Sequence, residues 1–331
     1  MFEPELTAVI TTLNRREILL GTLERFVSQE TDDPFEVIVV SDGASDGTSE
    51  AVRSFSARST VPVRLIEQAF SGQSAARNRG VAAARAPVCL FLNDDTRPRV
   101  DLVARHIAFH RLRQRETAVL LGGVAWAPEA APSPFMEWLL TGAIAFAHAE
   151  IADVERVPGR LFCTANVSAK TEFLQAVGGF DEGFVEYGYE DIECGIRLER
   201  AGMQLVYDPV AVVDHYHPVE LGGWLDRMRL LGRSAHTMVE RVPTWPVPRR
   251  PGTRHRVKAA VLTVALRARI PSAALRQVRW RFLSDEAFRE GFWNVAPRGL
   301  NRVRIGATLA RISASDPATR TSAISLGHPD A

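Results

Sequence analysis

The chain has 331 residues, of which 46% are hydrophobic and 24% charged, and its net charge is +1. This composition excludes a disordered chain and predicts one large α/β domain with an appended segment, or two domains. Three distant cysteines without CxxC spacing, Cys89, Cys163 and Cys194, argue against a disulfide framework and a structural zinc site. Because the sequence shows no signal-peptide pattern and no apolar stretch long enough to span a membrane, we expect a cytoplasmic protein.

The charges are divided unevenly along the chain. Residues 1–240 carry 23 basic and 34 acidic side chains, whereas residues 241–331 carry 17 and 5. The two parts therefore have net charges of about −11 and +12. The C-terminal part is a basic module.

The first elements alternate between strands and helices. Apolar, β-branched runs predict strands at 6–11 and 35–40, and apolar residues at helical spacing lie between them. Further strands are predicted at 61–66 and 88–92, each after a helical segment. This alternation predicts a Rossmann-like, mostly parallel sheet flanked by helices, whose ligands bind beyond the carboxyl ends of the strands.

The second part of the chain is less regular. A strand is predicted at 118–124, and the stretch PFMEWLLTGAIAFAH that follows it is compatible with helix or loop. An extended segment at 160–169, helices at 171–177 and 191–201, and strands near 204–207 and 211–213 complete the prediction.

Asp42 ends the second predicted strand, in the stretch VVSDGASDGT. A carboxylate there can accept hydrogen bonds from a nucleobase N–H or from ribose hydroxyls, and Gly43 allows a tight backbone turn. The alternative is that the stretch supplies only turn and helix-cap residues. From the residues alone, both interpretations stay open.

Asn93, Asp94 and Asp95 follow the fourth predicted strand. Adjacent carboxylates repel each other, so a cation between them relieves an electrostatic cost. One or two protein carboxylates together with diphosphate oxygens are a usual set of ligands for Mg²⁺ or Mn²⁺. The alternative is a helix-capping turn before Pro98, since Asp and Pro both favour helix starts.

Two further polar clusters lie downstream. Glu190 and Asp191 stand at the start of a predicted helix, where one of them acts as a general base or both only interact favourably with the helix dipole. His215 and His217 occupy alternate positions of a predicted strand, so they are expected to face one side and to suit metal binding. The alternative for the histidines is a structural role.

Taken in order, the motifs VITTLNR, VVSDGASDGT, SGQSAARNRG, FLNDDTRP, GGFDEGF, YEDIE and VVDHYHP resemble those of the family 2 glycosyltransferases of GT-A fold. The resemblance covers about residues 5–217. It implies a catalytic domain at 1–217, with a nucleotide-binding half at 1–115 and an acceptor-binding half at 116–217. A basic, mainly helical region with a flexible end is expected at 218–331.

The resemblance assigns roles on the nucleotide side of the site. Asp42 corresponds to the residue that recognises uracil or another base. Thr12 and Arg15 lie at the nucleotide edge, and Arg77 or Asn78 flanks the nucleotide.

It also assigns the catalytic side. Asp191 corresponds to the catalytic base, and Glu190 orients the acceptor or the donor sugar. Asp95 is the leading metal ligand, while Asp94 lies beside the ribose or the donor sugar. His215 or His217 completes the coordination.

Two residues depart from the family pattern. Asn93 stands where the family often has an aspartate, which implies weaker metal affinity or a greater dependence on diphosphate oxygens. Leu13 stands where the first motif often has an aromatic residue, so stacking on the nucleobase from this position is not expected.

The implied activity is inverting transfer of a sugar from a nucleoside diphosphate sugar, with a UDP-sugar favoured, assisted by Mn²⁺ or Mg²⁺. The acceptor is a hydroxyl of a saccharide, a lipid-linked or a small molecule. The alternative, which Asn93 allows, is a protein that binds nucleotide sugars without turnover.

The basic tail has two interpretations. It lies on an anionic membrane, which would give peripheral attachment to the inner face, or it forms a helical subdomain that packs on the acidic part or builds an oligomer. The opposite charges of the two parts favour the second. Because no nucleic-acid-binding module is recognisable, we expect no nucleic acid partner. The basic residues are Arg249, Arg250, Arg254, Arg256, Lys258, Arg267, Arg269, Arg276, Arg279 and Arg281.

Overall fold

The computed structural model describes residues 2–142, 145–248, 250 and 273–294. The chain divides into two units by its contacts. The first unit consists of residues 1–220 and 234–246, and the second of residues 221–233 and 247–331. The predicted division of the chain after residue 217 stays a prediction, although the contacts group residues 234–246 with the first unit.

The first half of the first unit follows the predicted alternation. The strands are buried because helices cover the sheet, and every residue of the second strand is buried. The elements are β1 (Leu6–Thr12), α1 (Arg16–Val27), β2 (Phe35–Asp42), α2 (Thr48–Ser56), β3 (Val63–Gln68), α3 (Gln73–Ala83) and β4 (Val88–Asn93).

The second half departs from the prediction in two places. The two strands expected near 204–207 and 211–213 are one strand, because a bulge opposite Gly122 and Gly123 absorbs the irregular residues between them. Residues 159–161 form a 3-10 turn, so the strand there is shorter than expected. The elements are β5 (Thr96–Pro98), α4 (Leu102–Leu112), β6 (Ala118–Trp126), α5 (Pro134–Thr141), β7 (Asn166–Lys170), α6 (Thr171–Ala176), α7 (Glu190–Arg200), β8 (Gln204–His215) and α8 (Leu221–Arg241).

The aromatic stretch that the sequence left open begins as helix α5. Pro134 occupies its first turn, and the Ser133 hydroxyl accepts a hydrogen bond of 3.2 Å from the backbone N–H of Met136. Proline at the first helical position and serine before it are typical helix-start residues. The dipeptide Ser133-Pro134 therefore marks the start of this helix.

The strands form one sheet in the order β3-β2-β1-β4-β7-β6-β8-β5. Strands β1, β2, β3, β4, β6 and β8 run in the same direction, and β5 and β7 run against them. The carboxyl ends of the first four strands consequently lie at one edge, together with those of β6 and β8. The expected α/β fold with a mostly parallel sheet is confirmed, with an antiparallel strand in its middle.

Two buried histidines join α4 to the sheet. The Ser168 hydroxyl on β7 lies 2.7 Å from His106 Nδ1 and 2.8 Å from His110 Nε2, while His106 Nε2 lies 3.1 Å from Asn166 Oδ1. Burial lowers the pKa of His106 to about 4 and that of His110 to about 3. Both rings are therefore neutral in the folded protein at pH 7.

We expect His110→Gln to make stability less sensitive to acid. An unfolded histidine has its ordinary pKa of about 6.5, so the stability that His110 contributes is complete above pH 6.5 and is lost as the pH falls towards the folded value. The wild type should lose about 1 kcal/mol more per pH unit than the variant between pH 6 and pH 4. Urea unfolding at both pH values measures this difference, and parallel pH curves for the two proteins would contradict it.

The second unit contains α9 (Ala273–Asn294), which packs on residues 221–233 of α8. Trp224 Nε1 donates a hydrogen bond of 2.9 Å to Ser284 Oγ. A β-carbon at Gly232 or Gly291 would collide with the backbone of the opposite helix, so both glycines allow the close approach.

The basic residues of the tail are only partly described. Arg276 and Arg281 are exposed on α9, whereas Arg279 is buried. Arg249, Arg254, Arg256, Lys258, Arg267 and Arg269 lie outside the described residues. Within the described part of the chain, no helix combines the length and apolar character that a membrane span requires.

Candidate active site

The predicted polar residues lie at the carboxyl edge of the sheet. Thr12 and Asp42 are the last residues of β1 and β2, Asn93 ends β4, and His215 ends β8. Because these strands are parallel, their ends meet at one edge. The side chains there form three groups.

The first group is the acidic pair with Arg15. The guanidinium donates through Nη1 to Asp94 Oδ1 at 2.8 Å and through Nη2 to Asp95 Oδ2 at 2.7 Å. The Thr12 hydroxyl donates to Asp94 Oδ2 at 2.8 Å, and the Thr22 hydroxyl donates to the Asp94 carbonyl at 2.7 Å. The side chain of Arg15 thus bridges the two acids, while the divalent cation expected there stays a prediction.

Both acids of the pair are buried, so their charges are costly. Burial raises the pKa of Asp94 to about 7, and the charge of Asp95 adds to the rise, while Arg15 and Thr12 work in the opposite direction. Burial works against the charge of Arg15, but Asp95 and Asp94 together raise its pKa above the ordinary value. The positive charge of Arg15 therefore offsets only part of the effect of burial on Asp94.

His215 joins this group, and His217 does not share its strand. His215 Nε2 lies 3.5 Å from Asp95 Oδ2, and Tyr216 donates its backbone N–H to the Asp95 carbonyl at 2.9 Å. Strand β8 ends at His215, so the expectation that both histidines face one side of a strand is wrong for His217. Asn93 accepts a hydrogen bond of 2.8 Å from Thr96 Oγ1 through its carbonyl.

Two aromatic residues that the sequence interpretation missed enclose His215. The ring centroids of Trp126 and Phe146 lie 5.0 and 5.8 Å from that of His215. Trp126 is opposite His215 in the β6–β8 register and donates its indole N–H to the Met136 carbonyl at 2.9 Å. The long pairing of β6 with β8 that brings Trp126 to the site is not visible in local sequence patterns.

Asp42 forms the second group with the loop between β3 and α3. Its Oδ1 accepts hydrogen bonds of 2.8 Å from Gln68 Nε2 and from the Ser71 backbone N–H, and its Oδ2 accepts one of 2.9 Å from the Gly72 N–H. A carboxylate has about four acceptor sites, so about one remains. Asp42 thus holds its neighbouring loop, which the sequence did not indicate.

The third group pairs Arg77 with Glu190. Arg77 Nη1 donates to Glu190 Oε1 at 2.8 Å, and both side chains are almost fully buried. The guanidinium also lies over the Phe180 ring, 5.5 Å from its centroid. Glu190 Oε2 is buried without a hydrogen-bond partner among the described residues. The pair links α3 to the start of α7.

Asn78 fastens the loop before α7. Its Nδ2 donates to the Phe180 carbonyl and to Glu182 Oε1, both at 2.9 Å, and its Oδ1 accepts from the Phe180 N–H at 2.8 Å. Gly179 has φ +65, and a β-carbon there would collide with Asn78, so glycine is required. The contacts of Arg77 and Asn78 go to this loop, while their expected position beside the nucleotide stays a prediction.

Asp191 lies beside the end of β4. β7 runs antiparallel to β4 with Asn166 opposite Leu92, so the residues just before β7 flank the acidic pair. One of them, Thr164, donates its N–H to Asp191 Oδ2 at 3.5 Å. Loss of solvation raises the pKa of Asp191 to about 7, and the charge of Glu190 adds to the rise, which Arg77 partly offsets.

The end of α8 holds the loop that presents Asp191. Ser234 Oγ donates to the Gly188 carbonyl at 2.8 Å, and the Arg241 guanidinium pairs with Asp181. Tyr189 has φ +73 and packs edge-on against Trp245 at 5.7 Å. A non-glycine residue with positive φ is strained, so these contacts hold the turn that begins α7.

Comparison with known protein families identifies the domain that carries these residues. Residues 7–124 match the family model described as Glycosyl transferase family 2. The match identifies a glycosyltransferase family 2 domain over these residues. In addition to this family 2 domain, residues 148–220 match a model described as the N-terminal domain of galactosyltransferase.

The family 2 domain has relatives in several bacteria. An uncharacterized glycosyltransferase of Bacillus subtilis, YfnE, is 29% identical in an alignment of 242 residues that covers 60% of this chain and 61% of that protein. A validoxylamine A glucosyltransferase of Streptomyces hygroscopicus subsp. limoneus is 31% identical in an alignment of 226 residues that covers 61% of this chain and 49% of that protein. The chain spans less than two thirds of the length of each of these relatives.

A solved structure confirms the fold. The mannosyltransferase PcManGT of Pyrobaculum calidifontis, in complex with GDP-Man and Mn²⁺, superposes with a TM-score of 0.60 and covers 89% of each chain at 17% sequence identity. At this identity the likeness shows the fold alone. The predicted GT-A type fold of the family 2 domain is confirmed.

Proposed function

We propose that this protein transfers a sugar from a nucleoside diphosphate sugar to a hydroxyl of an acceptor, with inversion at the anomeric carbon. The observation that carries the proposal is the convergence of two acidic groups at the end of β4. Asp94 and Asp95 follow this strand, and Asp191 is hydrogen-bonded to Thr164 beside it. The pair of Asp94 and Asp95 suits the diphosphate side of such a reaction, and Asp191 suits the acceptor side.

The nucleotide would lie over the ends of β1 and β2. The remaining acceptor site of Asp42 suits one N–H of a base such as uracil, and Arg15 offers a positive charge to the diphosphate. A UDP-sugar is the favoured donor by family resemblance. A GDP-sugar is the second candidate, because a mannosyltransferase of the same fold was solved with GDP-Man.

The residues at this edge fit a divalent cation that arrives with its substrate. Among the described residues, no group of three or more His, Cys, Asp and Glu side chains could hold a metal ion by itself. Asp95 Oδ2 and His215 Nε2 lie 3.5 Å apart, and a carboxylate oxygen with an imidazole nitrogen suits Mn²⁺ better than Mg²⁺. Asp95 and His215 would hold the ion, which would neutralise charge developing on the leaving diphosphate.

Asp191 would act as the general base. Its carboxylate accepts the proton of the acceptor hydroxyl while that oxygen forms the new bond to the anomeric carbon. The bond from this carbon to the diphosphate oxygen breaks, and its electron pair leaves with the nucleoside diphosphate. A base with a pKa near the working pH is well matched to this step, and the raised pKa of Asp191 supports the assignment.

The identity of the acceptor and the attachment of the protein to a membrane stay predictions. A saccharide, a lipid-linked or a small-molecule hydroxyl is compatible with a general base that is partly accessible at the sheet edge. Peripheral attachment to an anionic membrane through the basic tail would suit a lipid-linked acceptor. Co-sedimentation of the full chain with anionic vesicles, compared with neutral ones, tests this attachment.

A thermal-shift screen tests the proposed function. UDP or GDP with Mn²⁺ should raise the unfolding temperature of the wild type by about 5 °C at a concentration 100-fold above Kd, because the ligand binds only the folded state. Asp95→Asn should remove the Mn²⁺-dependent part of this shift. Asp32→Asn, an exposed acid in the loop before β2, is the matched control.

Two outcomes would count against the proposal. An unchanged Mn²⁺-dependent shift in Asp95→Asn would contradict the cation assignment, and no shift with any nucleotide would contradict the function. Release of nucleoside diphosphate from the donor that binds separates a transferase from a protein that only binds nucleotide sugars.

A further inference from the structure

The loop between β3 and α3 is fixed to Asp42 at both of its last residues. The backbone N–H groups of Ser71 and Gly72 donate to the two carboxylate oxygens of Asp42 at 2.8 and 2.9 Å. Hydrogen bonds to a charged acceptor are roughly twice as strong as neutral ones. Asp42 is itself buried, so this loop is held in one position relative to the end of β2.

The loop presents an aromatic ring to solvent. Phe70 is 59% exposed, although burying a phenylalanine side chain normally stabilises a protein by about 1.5–3 kcal/mol. Its backbone lies close to Gly43, where φ is +81 and an added β-carbon would be 2.8 Å from the Phe70 nitrogen. Only glycine permits this contact, so the backbone beneath the ring is closely packed while the ring stays accessible.

Phe70 and Leu13 flank the end of β2. Leu13 follows β1, is 39% exposed, and belongs to a loop that is tied to the loop after β2, because the Ser45 N–H donates to Asn14 Oδ1 at 2.7 Å. Strands β1 and β3 are the two neighbours of β2 and therefore lie about 10 Å apart. The loops that carry Leu13 and Phe70 therefore lie on the two sides of the loop that follows β2.

We propose that Phe70 is the platform on which the nucleobase of the donor stacks, and that Asp42 positions the loop carrying it. This inference rests on the proposed function and names the residue that supplies the stacking absent at Leu13. Stacking on an aromatic ring is tolerant of base identity because every base has a π-face. The site should therefore discriminate only weakly between UDP and GDP.

Calorimetric titration of the full chain tests the platform. With Mn²⁺ present, Phe70→Ala should weaken the binding of UDP and of GDP about 10- to 100-fold, since base stacking on an aromatic contributes about this much. Phe70→Tyr keeps the ring and should bind like the wild type. Inorganic pyrophosphate with Mn²⁺ has no base, so Phe70→Ala should bind it as tightly as the wild type does.

The matched control is Phe2→Ala, which removes a phenylalanine that is 46% exposed and precedes β1 at the opposite edge of the sheet. Equal UDP affinity in Phe70→Ala and the wild type would overturn the inference while leaving the proposed function intact. Loss of pyrophosphate binding together with UDP binding would also overturn it, because Phe70 would then support the loop and not the base. Absence of nucleotide binding by the wild type would overturn both.

Discussion

Asp191→Asn is expected to lower kcat by about 10²- to 10⁴-fold, the usual contribution of a positioned general base. The amide has nearly the shape of the carboxylate and can still accept a hydrogen bond from the Thr164 N–H, but it cannot take a proton from the acceptor. Nucleoside diphosphate binding should be unchanged. Release of nucleoside diphosphate from the donor, with water or an identified acceptor, measures the rate.

The pH profile gives the same variant a second readout. In the wild type, kcat/KM should fall as the pH drops below about 7, because the raised pKa of Asp191 leaves the base protonated there. Asp94 also has a pKa of about 7, so the acid limb reports both groups until Asp191→Asn is compared. Full turnover in Asp191→Asn, with Asp32→Asn as control, would remove Asp191 from the mechanism.

Arg77→Met is expected to lower the free energy of unfolding by about 3–5 kcal/mol, because removing one partner of a buried ion pair leaves an uncompensated charge. The pair of Arg77 with Glu190 is almost fully buried on both sides. Methionine retains most of the length of the arginine stem, so the effect comes mainly from the charge. Urea unfolding at pH 7 measures the loss.

Two further variants separate the ion pair from general damage to α3. Arg79→Met changes an exposed arginine of the same helix and should have little effect. Adding Glu190→Gln to Arg77→Met removes the orphaned charge and should recover much of the lost stability, although Glu190 remains a predicted site residue whose loss affects activity. A double variant as unstable as Arg77→Met alone would show that packing, and not charge, dominates there.

The ion pair of Arg77 with Glu190 also affects the pKa of Asp191. The charge of Arg77 lowers the pKa of Asp191, while that of Glu190 raises it. Arg77→Met should therefore move the acid limb of the pH profile to higher pH as well as destabilise the fold. Loss of one partner of this ion pair is therefore expected to change both the stability of the fold and the pKa of the proposed base.

Local periodicity was sufficient to predict the first half of the sheet. Strands β1 to β4 and the helices between them follow from apolar runs and helical spacing, because both signals are contained within short windows of sequence. The rule that ligands bind at the carboxyl edge of a parallel sheet then indicates Asp42, Asp94 and Asp95. Two adjacent acids at a strand end also indicated a cation.

The side chain that bridges the two acids was decided by the tertiary structure. Arg15 is 79 and 80 residues away from the acids that it bridges, and no short window of sequence links them. Arg77 and Asn78 likewise contact Glu190 and Phe180, which are more than 100 residues distant. Such contacts depend on the strand order, in which β4 pairs with β7 although more than 70 residues separate them.

The sequence by itself therefore determined the α/β class, the sheet edge that carries the site and the acidic residues at that edge. The tertiary structure alone decided their partners, the end of β8 before His217, the bulge that joins its two parts, and the position of Phe70 beside Gly43. The physical reason is that secondary structure and chemical type are local properties of the chain. Hydrogen bonds and ion pairs between distant residues exist only once the strands are paired.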